Sequence, residues 1–255
     1  MRICVAQTRP VKGDVQSNIE KHKAFIDLAT SNGADLVIFP ELSVTSYEPE
    51  LAKDLATDPD DRRFDELQRI SDAKQVIIGV GVPTKNDAGV SISMVIFQPH
   101  EARQTYSKKY LHSDEEPFFT SGQSTVDLRG DGAKIAFAIC YELSVPEHAE
   151  NAFERGARIY IASAAKSAVG VARAVGRLSD IAAKYSMTVL MSNCVGRCDN
   201  FESAGRSSVW NDKGLLLGQL NDTEEGLLII NTNTQELIEK VLPPQTGLKS
   251  GLEGL

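Results

Sequence analysis

A series of short runs in this chain is apolar almost from end to end: RICVAQT at Arg2 to Thr8, DLVIF at Asp35 to Phe39, QVIIGVGV, SISMVIF, KIAFAIC, RIYIAS, TVLMSN and GLLIIN. A strand with one wet face alternates apolar and polar residues, so a run without alternation must be covered on both faces. Between the runs lie segments of helical periodicity. Asp14 can cap a helix carrying Val15, Ile19, Ile26 and Ala29 on one side before Gly33, and Arg62 to Lys74 places Phe64, Leu67 and Ile70 together. Pro146 to Gly156 reads as a helix with proline in its first turn, and Val171 to Tyr185 as another. Turns are expected at NDAG, between QVIIGVGV and SISMVIF, and at Asn211 to Gly214. Buried strands separated by amphipathic helices require sheets with helices on an outer face, an α/β layered fold.

The 255 residues are 42% hydrophobic and 24% charged, enough to bury one large core, and no linker or internal repeat divides them. The expectation is one domain spanning residues 1–255, with an irregular tail from about Leu242. A net charge of −8 lacks the clustered Lys and Arg that nucleic acid or an anionic membrane surface requires. The chain opens on a strand-like run with no secretory leader, has no apolar stretch of membrane-spanning length, and carries four cysteines, Cys4, Cys140, Cys194 and Cys198. A cytoplasmic protein with reduced thiols is expected.

Three residues stand at the ends of buried strands. Cys140 closes KIAFAIC just before a helix, where α/β folds expose side chains at a sheet rim, and the backbone N–H groups of Tyr141 and Glu142 follow it. An arbitrary cysteine in such a place is most often a small buried hydrophobe. Glu41 follows DLVIF and Pro40, where apolar neighbours would raise a carboxyl pKa, although a lone Glu is usually a solvated loop acid. Lys108 follows the short strand ARQTY, and alone would read as a surface lysine.

Together these residues resemble the nitrilase superfamily of carbon–nitrogen hydrolases, from Met1 to about Asn231. Phe39-Pro40-Glu41, with Tyr47 behind it, is similar to the family's glutamate motif. Tyr106, Lys108, Tyr110 and Leu111 match its lysine motif, and Ile139-Cys140-Tyr141-Glu142 with Pro146-Glu147 its cysteine motif. The resemblance implies a four-layer αββα sandwich, pairing as a homodimer or higher homo-oligomer, and no cofactor or metal. It also implies a small amide-type substrate attacked by Cys140, with Glu41 as base and Lys108 as cation. The Tyr141 N–H would face the oxyanion and Tyr47 the substrate. A second family glutamate precedes a glycine, and SDEEPFFTSG offers Glu115 at the better-fitting distance from Gly122, with Glu116 as the alternative. Lys109 lacks the family spacing. The chain departs from common family patterns at Ser144, where many members carry Arg, and at Ile181 to Tyr185, which bears on substrate rather than on bond cleavage.

Amide, nitrile and N-carbamoyl substrates, and acyl transfer, can all begin at the same cysteine. Two further alternatives are a non-catalytic binding module of this fold and a Cys–His hydrolase using His112 or His148. The four histidines read mostly as surface residues. Cys194, Cys198 and Asp199 fall short of the four ligands of a structural zinc site, and GVGVP lacks the spacing of a phosphate loop.

Overall fold

The computed structural model describes residues 1–122, 126–130 and 132–242. In chain order its main elements are β1 (Arg2–Gln7), α1 (Val15–Ser31), β2 (Leu36–Ile38), α2 (Ala52–Leu55), α3 (Asp65–Lys74), β3 (Ile77–Asn86), β4 (Gly89–Phe97), β5 (Gln104–Ser107), β6 (Leu128–Gly130), β7 (Ala133–Ile139), α4 (Pro146–Glu154), β8 (Ala157–Ala164), α5 (Ala168–Tyr185), β9 (Thr188–Asn193), β10 (Val195–Cys198), β11 (Phe201–Ala204), β12 (Ser208–Trp210), β13 (Leu216–Gln219), β14 (Gly226–Asn231) and β15 (Leu237–Val241). One sheet has the order β15-β14-β1-β2-β3-β4-β5, the other β13-β12-β9-β8-β7-β6, and β10-β11 form a separate hairpin. The central neighbours β1-β2-β3 and β7-β8-β9 are parallel, so their carboxyl ends share a rim within each sheet.

The period-two geometry of each strand explains the layers. Ile3, Val5, Leu36, Ile38, Met94 and Ile96 from the first sheet meet Ile135, Phe137, Ile139, Ile159, Ile161 and Leu190 from the second in one apolar cluster between the sheets. The alternate residues Cys4, Ala6, Val37 and Phe39 pack outward with Ile19, Phe25 and Ile26 of α1 and Leu67 of α3. On the other side Ala138, Tyr160, Ala162, Val189 and Met191 pack with Ala149 of α4 and Val171, Ala174, Leu178 and Ile181 of α5. The result is a four-layer αββα sandwich, and it explains why the strand runs show no alternation: both faces of each sheet are covered.

Several boundaries differ from the sequence expectation. Helix α5 begins at Ala168 rather than Val171, because Ser167 caps it by accepting from the Gly170 N–H at 3.4 Å, ahead of the first buried position. Strands β3 and β4 pair through Asn86↔Gly89, so their turn is Asp87-Ala88 rather than all of NDAG. The hairpin β10-β11 was not anticipated, since VGRC and FESA are too short and polar to signal strands. The histidines are less exposed than expected: His22 is buried, its ring nitrogens 2.5 Å from Asn18 O and 2.9 Å from Ser43 Oγ, and His148 is half-buried. The expected tail beyond 242 lies outside the described residues. No helix among the described residues is long and apolar enough to cross a membrane.

Candidate active site

Strand β7 ends at Ile139, and Cys140 opens a short 3-10 turn with φ of +46°, a conformation that is strained for a residue with a Cβ. Glu142 over-determines the turn. Its buried carboxylate accepts from the Ile139 N–H at 2.8 Å, and also from the Lys109 N–H at 2.7 Å and the Tyr106 hydroxyl at 2.7 Å. The cysteine turn is thereby tied to the lysine segment. The Cys140 thiol donates to Ala165 O at 3.9 Å, at the end of the neighbouring strand β8.

Glu41 sits in the turn after β2, and its backbone crosses β3 closely. A Cβ on Gly81 would lie 2.3 Å from Pro40 O and 2.4 Å from Leu42 N, so only glycine permits this approach. Lys108 continues the edge of β5, donating its N–H to Ile92 O at 2.8 Å and accepting at its carbonyl from Gly122 N–H at 2.7 Å. A Cβ on Gly122 would fall 2.3 Å from Ser107 Cβ, which is why a glycine closes this loop.

These segments bring four groups together. The Lys108 ammonium, fully buried, lies 2.8 Å from Glu41 Oε1 and 2.6 Å from Glu115 Oε1. Glu115 also accepts from the Tyr47 hydroxyl at 3.1 Å and, through Oε2, from the His112 N–H at 2.8 Å. The second Glu41 oxygen accepts from Ala165 N–H at 3.2 Å, and the Cys140 thiol is within hydrogen-bonding reach of the same carboxylate. Glu116 and Lys109 are both exposed, Lys109 with its ammonium 5.0 Å from the centre of the Tyr110 ring. Tyr141 lines the pocket above Cys140 with its ring 5.1 Å from that of His112.

The electrostatics follow from burial plus charge. Burial raises the Glu41 pKa, Lys108 opposes the rise and Glu115 adds to it. For Lys108, burial would lower the pKa, but Glu41, Cys140 and Glu115 outweigh it and hold the ammonium well above the ordinary lysine range. The Cys140 thiol is pushed up to about 11, first by burial and then by the Glu41 charge, with Lys166 and Lys108 pulling the other way. At neutral pH Cys140 is therefore a thiol and Lys108 an ammonium.

Among the described residues no histidine hydrogen-bonds to the Cys140 sulfur. His112 pairs with Asp114 at 2.6 Å, and His148 hydrogen-bonds to the Tyr106 and Tyr160 hydroxyls, each at 2.9 Å. Cys194 and Cys198 are buried with their sulfurs 3.6 Å apart, and all four cysteines are free. Among the described residues no group of three or more His, Cys, Asp or Glu could hold a metal ion.

Cys140 opens into a pocket of about 460 Å³, whose wall includes Tyr47, Phe118, Tyr141, Lys166 and Phe201. A larger cleft of about 730 Å³, bordered by Tyr106, Lys134, His148 and Arg155, contains none of Glu41, Lys108, Glu115 or Cys140, and size alone does not make it the reactive site. Sequence reasoning missed Lys166, the side-chain role of Glu142 and the β10-β11 hairpin that carries part of the wall. The signal for Lys166 was available: it follows β8, whose end lies beside that of β7.

A model described as carbon-nitrogen hydrolase matches residues 2–240. Among curated proteins, the glutamine-dependent NAD(+) synthetase of Aquifex aeolicus is 26% identical over 95% of this chain and 44% of its own length. The chain thus spans less than half of that relative. A protein known as hydrolase in agr operon, from Staphylococcus aureus, is 24% identical over 99% of both chains. Among solved structures, an amidase from Nesterenkonia sp. has a TM-score of 0.81 at 24% identity, covering 95% of this chain and 90% of that one. At that identity the likeness shows a shared fold.

Proposed function

The chain belongs to the carbon–nitrogen hydrolase family, and from that premise we propose that it is an amidase, releasing ammonia from a small primary amide through a thioester on Cys140. The observation that carries this reading is the buried Lys108 ammonium between two carboxylates, one of them within reach of the cysteine sulfur that lines the pocket. A thiol pushed up to about 11 needs a base in contact, and Glu41 is that base. Glu41 takes the thiol proton as sulfur adds to the amide carbon. Lys108 and the Tyr141 N–H stabilise the oxyanion, an effect worth about 10²–10³ in rate per donor in comparable sites. The tetrahedral intermediate collapses as Glu41 returns the proton to nitrogen, so ammonia leaves and an acyl thioester remains. Glu41 then deprotonates a water, which attacks the thioester carbon, and the carboxylic acid leaves as the thiol is restored. Glu115, held by Tyr47 and the His112 N–H, positions Lys108.

Nesterenkonia amidase variants undergo covalent addition at their active-site cysteine, which supports reading Cys140 as the nucleophile. The test is ammonia release from a panel of primary amides, N-carbamoyl compounds and nitriles. Glutamine belongs in it, because several relatives are glutamine-dependent enzymes. Primary amides should be turned over fastest, with a thioester on Cys140 trapped by mass spectrometry. Faster turnover of nitriles or carbamoyl compounds would replace the amidase reading.

A further inference from the structure

Behind the pocket wall lies a pair of thiols that the amide chemistry does not use. Cys194 follows β9 and Cys198 ends β10, and their sulfurs are buried 3.6 Å apart. They cluster with Ala165, and Tyr47 and Phe201 pack against them; those three residues are themselves pocket wall. Ala165 is also the residue that meets the Cys140 thiol and the Glu41 carboxylate, at 3.9 and 3.2 Å. The sulfur pair is thus one residue removed from the nucleophile.

The pair sits at the root of the β10-β11 hairpin, whose Asp199, Asn200 and Phe201 line the pocket. Cys198 is paired in register with Phe201. The Phe201 ring lies 5.8 Å from that of Tyr47, and the Tyr47 hydroxyl donates to Glu115, which holds the Lys108 ammonium at 2.6 Å. A displacement of Cys198 is therefore felt along a packed chain that ends on Lys108. A disulfide needs sulfurs about 2 Å apart, so closing the 3.6 Å gap draws the two residues together by about 1.5 Å. In a close-packed interior the neighbours must follow. The two sulfurs are also unequal. Donation from the Cys194 thiol lowers the Cys198 pKa, opposed by burial and helped by the Tyr47 N–H, while the same bond and burial push Cys194 up. Cys198 is the attacking thiol and Cys194 the resolving one.

We propose that Cys194 and Cys198 are a reversible oxidation site for hydrogen peroxide, and that the disulfide formed there slows the chemistry of Cys140 by shifting the wall made of Ala165, Tyr47 and Phe201. The Cys198 thiolate attacks one peroxide oxygen and the O–O bond breaks. A sulfenic acid remains on Cys198, and the departing hydroxide takes up the thiol proton and leaves as water. The Cys194 sulfur then attacks the Cys198 sulfur, its proton departs with the sulfenic hydroxyl as a second water, and the S–S bond forms. The two thiols lose two electrons and the peroxide gains them. An external dithiol restores both thiols by exchange. The switch goes beyond the amidase reading and acts whichever carbon–nitrogen bond the pocket cuts.

The test compares the intact protein with Cys198→Ser and Cys194→Ala, each treated with hydrogen peroxide at the highest concentration that leaves Cys198→Ser active, then with catalase. Peroxide that reaches Cys140 acts on all three, so the difference between them is what is read. Arg197 stands between the two cysteines, so trypsin separates their peptides unless a disulfide joins them. In the oxidised intact protein the two peptides should run as one mass, and as two after dithiothreitol. Alkylation of Cys140 by iodoacetamide, followed on its own peptide, should slow about 10-fold, and kcat/KM for a primary amide should fall about 10–100-fold, as a misplacement of this size costs. Dithiothreitol should reverse both losses, and neither variant should show them. Failure of the disulfide to form, a linkage of Cys140 to Cys194 instead, or a formed disulfide with Cys140 alkylation unchanged or faster overturns the proposal. No ammonia from any amide, with alkylation slowed only in the oxidised intact protein, removes the amidase reading and keeps the switch. Brisk amide hydrolysis indifferent to a formed disulfide removes the switch alone.

Discussion

Two buried glutamates flank the cysteine turn, and their surroundings differ in kind. Glu41 faces an ammonium and a thiol, groups that can exchange a proton with a carboxylate. Glu142 faces fixed donors: the Lys109 and Tyr110 N–H groups, at 2.7 and 3.4 Å, on one oxygen, and the Ile139 N–H and Tyr106 hydroxyl, at 2.8 and 2.7 Å, on the other. His148 extends the second network, and burial lowers its pKa despite the nearby Glu142 charge. The first region gathers groups able to exchange a proton, and the second ties the cysteine turn to the lysine segment. A carboxylate whose oxygens are saturated by backbone donors is a brace, whereas one that shares a cation and touches a nucleophile can cycle its proton.

The comparison is most easily broken at Cys140. Replacing it by Ala or Ser should abolish turnover with circular dichroism and Tm close to those of the parent, because the thiol's chemistry and not its volume is needed. Substantial amide hydrolysis by the alanine variant would end the mechanism. Lys108→Ala should lower kcat by about 10²–10³, the usual cost of one oxyanion donor, whereas Lys109→Ala should change it less than about threefold. Steady-state kinetics on the two variants decide between the neighbours, and equal losses would show that the exposed lysine matters as much as the buried one.

The pH profile sharpens the contrast. In the proposed mechanism Glu41 acts as base when ionised, and its pKa is raised, so kcat/KM should fall on the acid side through a limb lying above the ordinary glutamate value of 4.5. Glu115 contributes to that rise by like-charge repulsion, so Glu115→Gln should move the limb to lower pH; movement upward would contradict the electrostatic account. Glu142→Gln should leave the position of that limb where it was but remove stability, on the order of 3 kcal/mol for buried donors left facing another donor. That corresponds to a Tm lowered by about 6–12 °C in a chain of this length, measurable by calorimetry. The smallest effect is expected at the buried sulfur pair, where Cys198→Ser should alter turnover by less than about threefold.

The covered strands were legible in sequence because a run without polar alternation has one physical explanation, and the helix faces because apolar spacing survives whatever the helix packs against. Glu41, Lys108 and Cys140 were legible as strand-end residues within short motifs. Glu115 could be preferred over Glu116 only by spacing to Gly122; burial against Lys108 is what separates them in the structure. Glu142 gave no comparable signal, since an isolated glutamate reads as a solvated charge until its surroundings are known.

The sequence by itself thus determined an α/β layered fold with covered strands and one-sided helices, the four-layer form being what the family resemblance implied, and it marked three residues whose types suit acyl transfer. Only the tertiary structure decided which charges meet. Glu41 and Lys108 are 67 positions apart, and their pairing depends on the order of β2, β3, β4 and β5 in one sheet. Cys140 joins them because the second sheet packs face to face on the first. Sequence patterns record burial along one element at a time, whereas the field at a sulfur atom sums over every element that reaches it.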